Sequence, residues 1–500
     1  MRYQCTECDK ESTNYSDYKE CLERRHTIDA FPESSDKPTP SNPKKTRMVK
    51  VKGWIDNNFV ESIILDSKPA FLCYNRTTKT IKVQEQVEND STIYVPPNMD
   101  EYGYTPYSLS RLEFETLSAK NATKEQLLDE IKEQVDKYIS STDIVKNLIL
   151  GDLFFTYCQE WVSTTHYLFF VGETESGKSS ALHLFRYLGY RCLYGVDIPK
   201  ADVYSFLGTD EEATGIIAED EAQEMAVNRE KIRLYKNSYT RGSKQPIVVL
   251  LQNGRKQIFY NTFCFKLFAG ERVPEDKAFQ ERLAVIHMIQ GTTQGNVKRL
   301  DHLQQKALHG LRNKLLIWKV KSIEDTFSTI QTNLKRRDQE LWEDFVRVFV
   351  GTKYESEAQK VVEYFTSQRQ RKIHESLEAR IFEVLHSELN SNYELYFEDF
   401  WKKIIARETM VTGHLDRETL IEDQSGKKIT RTSLAKLFEE KFQAEKKIKY
   451  EKDNKYRKIT YYVFNKDTLL ILAKKYNTPI GLESPLIGGP SSTSGLDTIS

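Results

Sequence analysis

Several features are scarce in this sequence. Seven cysteines in 500 residues are too few for a disulfide-stapled fold, and Cys73, Cys158, Cys192 and Cys264 sit singly among apolar neighbours, as buried thiols do. No apolar run approaches the roughly 18 residues of a membrane-spanning helix. The opening MRYQCTECDK lacks the apolar stretch of a secretory signal, so a cytoplasmic protein with no membrane contact is expected. Lys plus Arg and Asp plus Glu both number 73. The chain therefore has no global field that would draw it to nucleic acid, and any basic face is local. No internal repeat is found.

At roughly 150 residues per domain, this length suggests about three domains, and the composition shifts suggest where they lie. Residues 1–31 hold the clustered cysteines; 32–47, rich in Pro, Ser and Lys, read as a linker. Short β-rich pieces such as ESIILD and AFLCYN, separated by turn signals, predict a small sheet domain over 48–105. Residues 106–165 read as a helical connector, in which Leu127, Leu128, Ile131, Val135 and Ile139 share one face behind Thr123 and Glu125. Strands and helices then alternate through 166–320, as a parallel sheet requires. A helical connector (321–370), a smaller α+β unit (371–476) and a disordered tail (477–500) complete a multidomain α/β chain.

The clustered cysteines spell Y-x-C-x2-C-x12-C-x4-H through Tyr3, Cys5, Cys8, Cys21 and His26. This is two-Cys two-His finger spacing with a third cysteine in place of a histidine, a set that can hold Zn²⁺ tetrahedrally. The expected finger helix mixes Lys19, Arg24 and Arg25 with Asp17, Glu20 and Glu23. DNA and protein both remain open as its partner.

The strongest signal is Gly172-Glu173-Thr174-Glu175-Ser176-Gly177-Lys178-Ser179. Its glycines let backbone amides wrap phosphates, and the following helix, with Ser180 in its first turn, offers its N-terminal end. The motif follows the apolar YLFFV and precedes SSALHLFRYL, the strand and helix that it needs. Lys178 would reach the β and γ phosphates and Ser179 would hold Mg²⁺. Hydrolysis also needs carboxylates at the end of a neighbouring strand, and TGIIAEDEAQE supplies Glu219, Asp220 and Glu221 after an apolar run. Asp220 is assigned to Mg²⁺ and Glu221 to the general base; the plainer alternative is a solvated helix start.

These residues resemble the Walker A and Walker B motifs of AAA+ P-loop ATPases. The spacing is similar to that of superfamily 3 and poxvirus-type primase-helicases of viruses and plasmids, and the segments GYRCLYGVDIPKADVYSFLG and TRGSKQ also look like those of ATPases of archaeal mobile elements. The resemblance implies an AAA+ core over about 166–320, with a β-hairpin after Walker B, then a sensor strand, then an arginine reaching a neighbouring subunit's ATP. Asn253-Gly254 is a strong hairpin signal, and Arg255 and Lys256 at its tip would face a pore and ride on DNA. Arg282 matches the arginine finger, and Arg241 is a second candidate for a trans-acting or DNA-contacting cation. Gly270-Glu271 stands where the family has a polar sensor, so the sensor is unassigned.

Residues 371–476 predict three helices and then a hairpin, the order of a winged helix, with Arg431, Ser433 and Lys436 on its recognition helix and a basic wing carrying Lys455 and Arg457. The leading expectation is an ATP-driven DNA helicase or translocase acting as a ring, most simply a hexamer, on single-stranded or forked DNA. A primase or initiator is a candidate partner. An AAA+ loader without unwinding, and a P-loop small-molecule kinase or signalling NTPase, are the alternatives.

Overall fold

Apolar runs separated by turns of two residues (56–57 and 66–67) and four (76–79) build an antiparallel meander from Lys52–Ile55, Asn58–Leu65, Lys68–Asn75 and Thr80–Gln84, with Ser108–Leu109 added in parallel. Asp66 and Ser67 both take left-handed φ angles (48° and 64°), the backbone of a tight I′ hairpin turn. The computed structural model describes residues 2–8, 11–12, 21, 23–24, 28–31 and 45–478, except 211–214, 252–253, 328–329, 413–429 and 454. Most of the expected linker, and the expected tail from 479, lie outside the described residues. The chain divides into two compact units, residues 1–359 and 360–500.

In the first unit, helix α1 (Lys124–Tyr138) starts where the sequence predicts. Thr123 accepts from Gln126 N and Gln126 bonds back, while Leu127, Leu128, Ile131 and Val135 are buried. Helix α2 (Asp143–Phe155) is apolar almost all round and lies in the core. Strands β1 (Tyr167–Val171), β2 (Cys192–Val196), β3 (Ile216–Asp220), β6 (Lys266–Gly270) and β7 (Leu283–His287) form one sheet in the order β2-β3-β6-β1-β7. All of its pairings are parallel. Helix α3 (Lys178–Leu188) follows β1, α4 (Arg229–Asn237) follows β3, and β4 (Lys244–Leu251) with β5 (Gly254–Asn261) makes a separate two-stranded hairpin. Helices α5 (His302–Lys321) and α6 (Arg337–Phe349) close the unit.

Buried charges join the meander to this core. Residues 59–65 are all buried, so Glu61 has no water and must be paired. The Arg191 guanidinium and the Tyr190 hydroxyl, just before β2, both bond its carboxylate. Close by, Lys52 and Lys319 of α5 both bridge Glu160, with all three side chains nearly enclosed. Burial would push the Glu160 carboxyl up, but the two ammonium groups hold it down at about 2.

The second unit contains helix Leu377–Glu388, strand Glu394–Tyr396, helix Phe397–Thr412, the short helix Arg431–Lys436, strands Glu445–Asp453 and Lys455–Val463, and helix Lys466–Tyr476. The strands form an antiparallel sheet around Phe382, Trp401, Phe438, Phe442 and Tyr462. Among the described residues, no helix is long and apolar enough to cross a membrane.

Because the folded pKa of Glu160 lies below the ordinary carboxylate value, the triad's stabilisation is complete above that value and is lost as pH falls toward 2. Glu160→Gln, which leaves two buried ammonium groups uncompensated, is expected to cost about 3–5 kcal/mol at neutral pH. Denaturant melts at pH 7 and pH 3 check this, the variant losing less than the parent between them.

Candidate functional site

Between β1 and α3 the backbone must turn tightly under the sheet edge. A Cβ on Gly172 would fall 2.5 Å from the Met288 carbonyl oxygen, so only glycine fits. Glu175 and Gly177 take φ of +66° and +92°, left-handed turns that point successive amides into a concavity suited to anions. Glu173, Thr174 and Glu175 are exposed while Ser176 is buried. Lys178 opens α3, and its ammonium donates to the carbonyls of Gly172 (2.7 Å) and Glu173 (2.6 Å). Ser179 and Ser180 are half-buried in the first turn.

Strand β3 ends at the same sheet edge, with β6 between it and β1. Two strand spacings, about 10 Å, therefore separate the loop from the carboxylates. Asp220 is half-buried and accepts from the Glu221 amide at 3.1 Å. Glu221 is exposed with φ +53°, strain of a kind found at working sites, and this kink turns the chain out of the strand. Glu219 is different: it is buried and held by Lys231 and by the Tyr235 hydroxyl at 3.0 Å. Its burial pushes the carboxyl up, against the pull of Lys231.

Two hollows flank the loop. One of about 300 Å³ lies between residues 175–180 and a wall formed by Tyr138, Ser140, Gly291, Thr293, Asn296 and Lys298. The other, about 490 Å³, is lined by 171–174, Glu271 and His287. Sequence reasoning missed this first wall, because it combines the end of α1 with a loop some 150 positions away. It also missed Gln223, whose side-chain oxygen accepts from the Glu271 amide at 3.3 Å. Gln223 thus places a polar amide at the end of β6, where the sequence shows only Gly270-Glu271.

The expected cations fare unevenly. Arg255 and Lys256 are exposed on β5, but the register sets Arg255 opposite Leu250 and Lys256 opposite Val249. Neighbouring strand residues face opposite ways, so the two do not share one side as expected. Arg255 lies on the face of exposed Val248, Leu250 and Phe259. The Arg241 guanidinium donates to the carbonyls of Val162 (3.0 Å) and Gln159. Arg282 is only 8% exposed, lies 4.5 Å from the Tyr239 ring centre and donates to the Ala278 carbonyl.

In the second unit Arg431 is exposed but pairs with Glu398 at 3.1 Å, and Lys436 is exposed. The side chains of Lys455 and Arg457 lie outside those described. At the N-terminus the sulfurs of Cys5, Cys8 and Cys21 all lie within 4.8 Å of one another. Such a set suits a tetrahedral soft-ligand ion. His26, the expected fourth ligand, lies outside the described residues.

No family model and no curated protein sequence matches the chain. Among solved structures it is similar to the NrS-1 C-terminal region, at 12% identity and a TM-score of 0.32 over 81% of this chain and 96% of that one. It is also similar to JCV helicase, at 14% identity and a TM-score of 0.24 over 51% of this chain and 67% of that one.

Two outcomes are expected. Gly172→Ala should weaken binding of a fluorescent ATP analogue about tenfold or more, read by anisotropy, because the loop must leave the Met288 carbonyl. Metal analysis of purified protein should find one zinc per chain, and Cys8→Ser should lose it.

Proposed function

We propose that the chain is an ATP-hydrolysing DNA helicase or translocase of a replication module, working as an oligomeric ring, most simply a hexamer, on single-stranded or forked DNA. The observation that carries the ATPase reading is the convergence of the Gly172–Ser179 loop and the Asp220-Glu221 pair on one edge of a parallel sheet. Ligands of open α/β sheets bind at the carboxyl ends of the strands, and a lysine at a helix start beneath left-handed glycine is built for phosphate.

In this reading the triphosphate lies across the amides of 173–178, and Lys178 exchanges its carbonyl partners for phosphate oxygens. The ~300 Å³ hollow beside the loop receives the nucleoside. Mg²⁺ prefers hard oxygen ligands and keeps several waters; the Ser179 hydroxyl and Asp220 carboxylate are such ligands, and the ion would neutralise charge developing on the phosphates. Glu221, set outward by its kink, accepts the proton of the attacking water. Gln223 is a neutral donor available at the end of β6.

The DNA reading is supported by the exposed Arg255 and Lys256 on a hairpin free of the central sheet. The second unit supports it too: its helix–strand–helix–helix–hairpin order is that of a winged helix, with Lys436 on the short helix and a basic final hairpin that includes Lys455 and Arg457. Arg431 would have to leave Glu398 to contact phosphate. The three thiolates, with His26 as the expected fourth ligand, would hold Zn²⁺ in a finger suited to contacting DNA or a primase or initiator partner.

Turnover of ATP and unwinding of a forked duplex test the reading. Lys178→Ala is expected to lose at least about a hundredfold in kcat. Lys256→Ala should keep basal turnover while losing stimulation by single-stranded DNA, as well as unwinding. DNA-stimulated turnover without unwinding in the parent would favour a loader, and turnover indifferent to DNA would favour a small-molecule kinase or signalling NTPase.

A further inference from the structure

The buried ions behind the catalytic edge are not used by the chemistry above. Side chains alternate along β3, so Glu219 points to the opposite side from Asp220. On that side lies α4, whose Lys231 and Tyr235, one turn apart, both bond the Glu219 carboxylate. Lys231 is 1% exposed. Its ammonium also reaches Asp197 at 3.0 Å, just past Val196, which pairs in register with Asp220. A single buried cation thus pins the ends of β2 and β3 to one helix.

The same helix touches the other moving parts. Lys236 pairs with Asp276 at 3.2 Å, in the segment beyond Glu271. At its C-terminal end, residues 238–243 lead directly into β4 of the hairpin, and the Tyr239 carbonyl accepts from Thr165 N at 2.9 Å beside the start of β1. Separating buried opposite charges is expensive, so a displacement of α4 drags the end of β3 with it.

We propose that Lys231 is a positioning residue for Asp220 and Glu221, and that α4 transmits the load on the β4–β5 hairpin to this pair through the Lys231–Glu219 contact. The inference rests on the ATPase and DNA reading above. Occupancy of the hairpin by DNA shifts α4, the clamp carries the shift to the last residues of β3, and the outward kink at Glu221 sets the base relative to the loop. The Gly172–Ser179 loop, on the far side of β6, is untouched.

The test uses the full chain and measures ATP turnover with and without single-stranded DNA, together with melting temperature. Lys231→Met is expected to lower kcat about tenfold or more, leave KM for ATP unchanged and abolish DNA stimulation. Since this variant strands a buried carboxylate, Glu219→Gln/Lys231→Met is the control: it should melt close to the parent yet remain unstimulated. Tyr235→Phe, which removes one bond to Glu219, should reduce stimulation without abolishing it. Full DNA stimulation in the double variant would reduce the pair to structural charge balance and overturn the proposal, as would parental stimulation in Lys231→Met. A parent that is itself indifferent to DNA would instead bring down the functional reading, and this inference with it.

Discussion

The nucleotide chemistry proposed for this chain depends on five strands running the same way. In a parallel sheet all carboxyl ends share one edge and all helix starts crowd over it, so groups far apart in sequence converge there. Because β6 lies between β1 and β3, the loop and the carboxylates stand apart by the width of one strand. Gly172 and Gly177 then let the backbone close under this edge.

Much of this was legible in the sequence because it is local. YLFFV is fully buried as an interior strand of the sheet, Thr123 caps α1, and the Lys178 helix opens at its glycine. The acidic run after IIA was legible as a group, but not in its division of labour. Glu219 belongs to the interior with Lys231 and Tyr235, because pleating sends every second side chain to the other face. The wall of the hollow beside the loop and the place of Gln223 were not legible at all, since each is made by segments that meet only in the folded chain.

The arginines and lysines show the limit of reading charge from sequence. A guanidinium has five donors, and a carbonyl-rich corner can satisfy them as well as a phosphate does. Arg241 spends its donors on the carbonyls of Gln159 and Val162, while Arg282 lies over Tyr239. Spacing alone cannot separate such internal clamps from exposed contacts, because burial is decided by what packs alongside. Arg255 and Lys256 remain exposed, but on opposite faces of their strand, so a turn that looks uniformly basic in one dimension is two-sided in three.

The buried pairing of Glu61 with Arg191, and of Glu160 with both Lys52 and Lys319, also bears on how such a protein can change over generations. Each buried carboxylate has a cation from the other segment: Glu61 of the meander meets Arg191 of the parallel-sheet core, and Glu160 of the core meets Lys52 of the meander. Recombination that replaced one segment alone would leave an ion stranded in the interior. A distant relative that keeps the Arg191 position is therefore expected to keep an acid at the Glu61 position, even where little else in the sequence is shared.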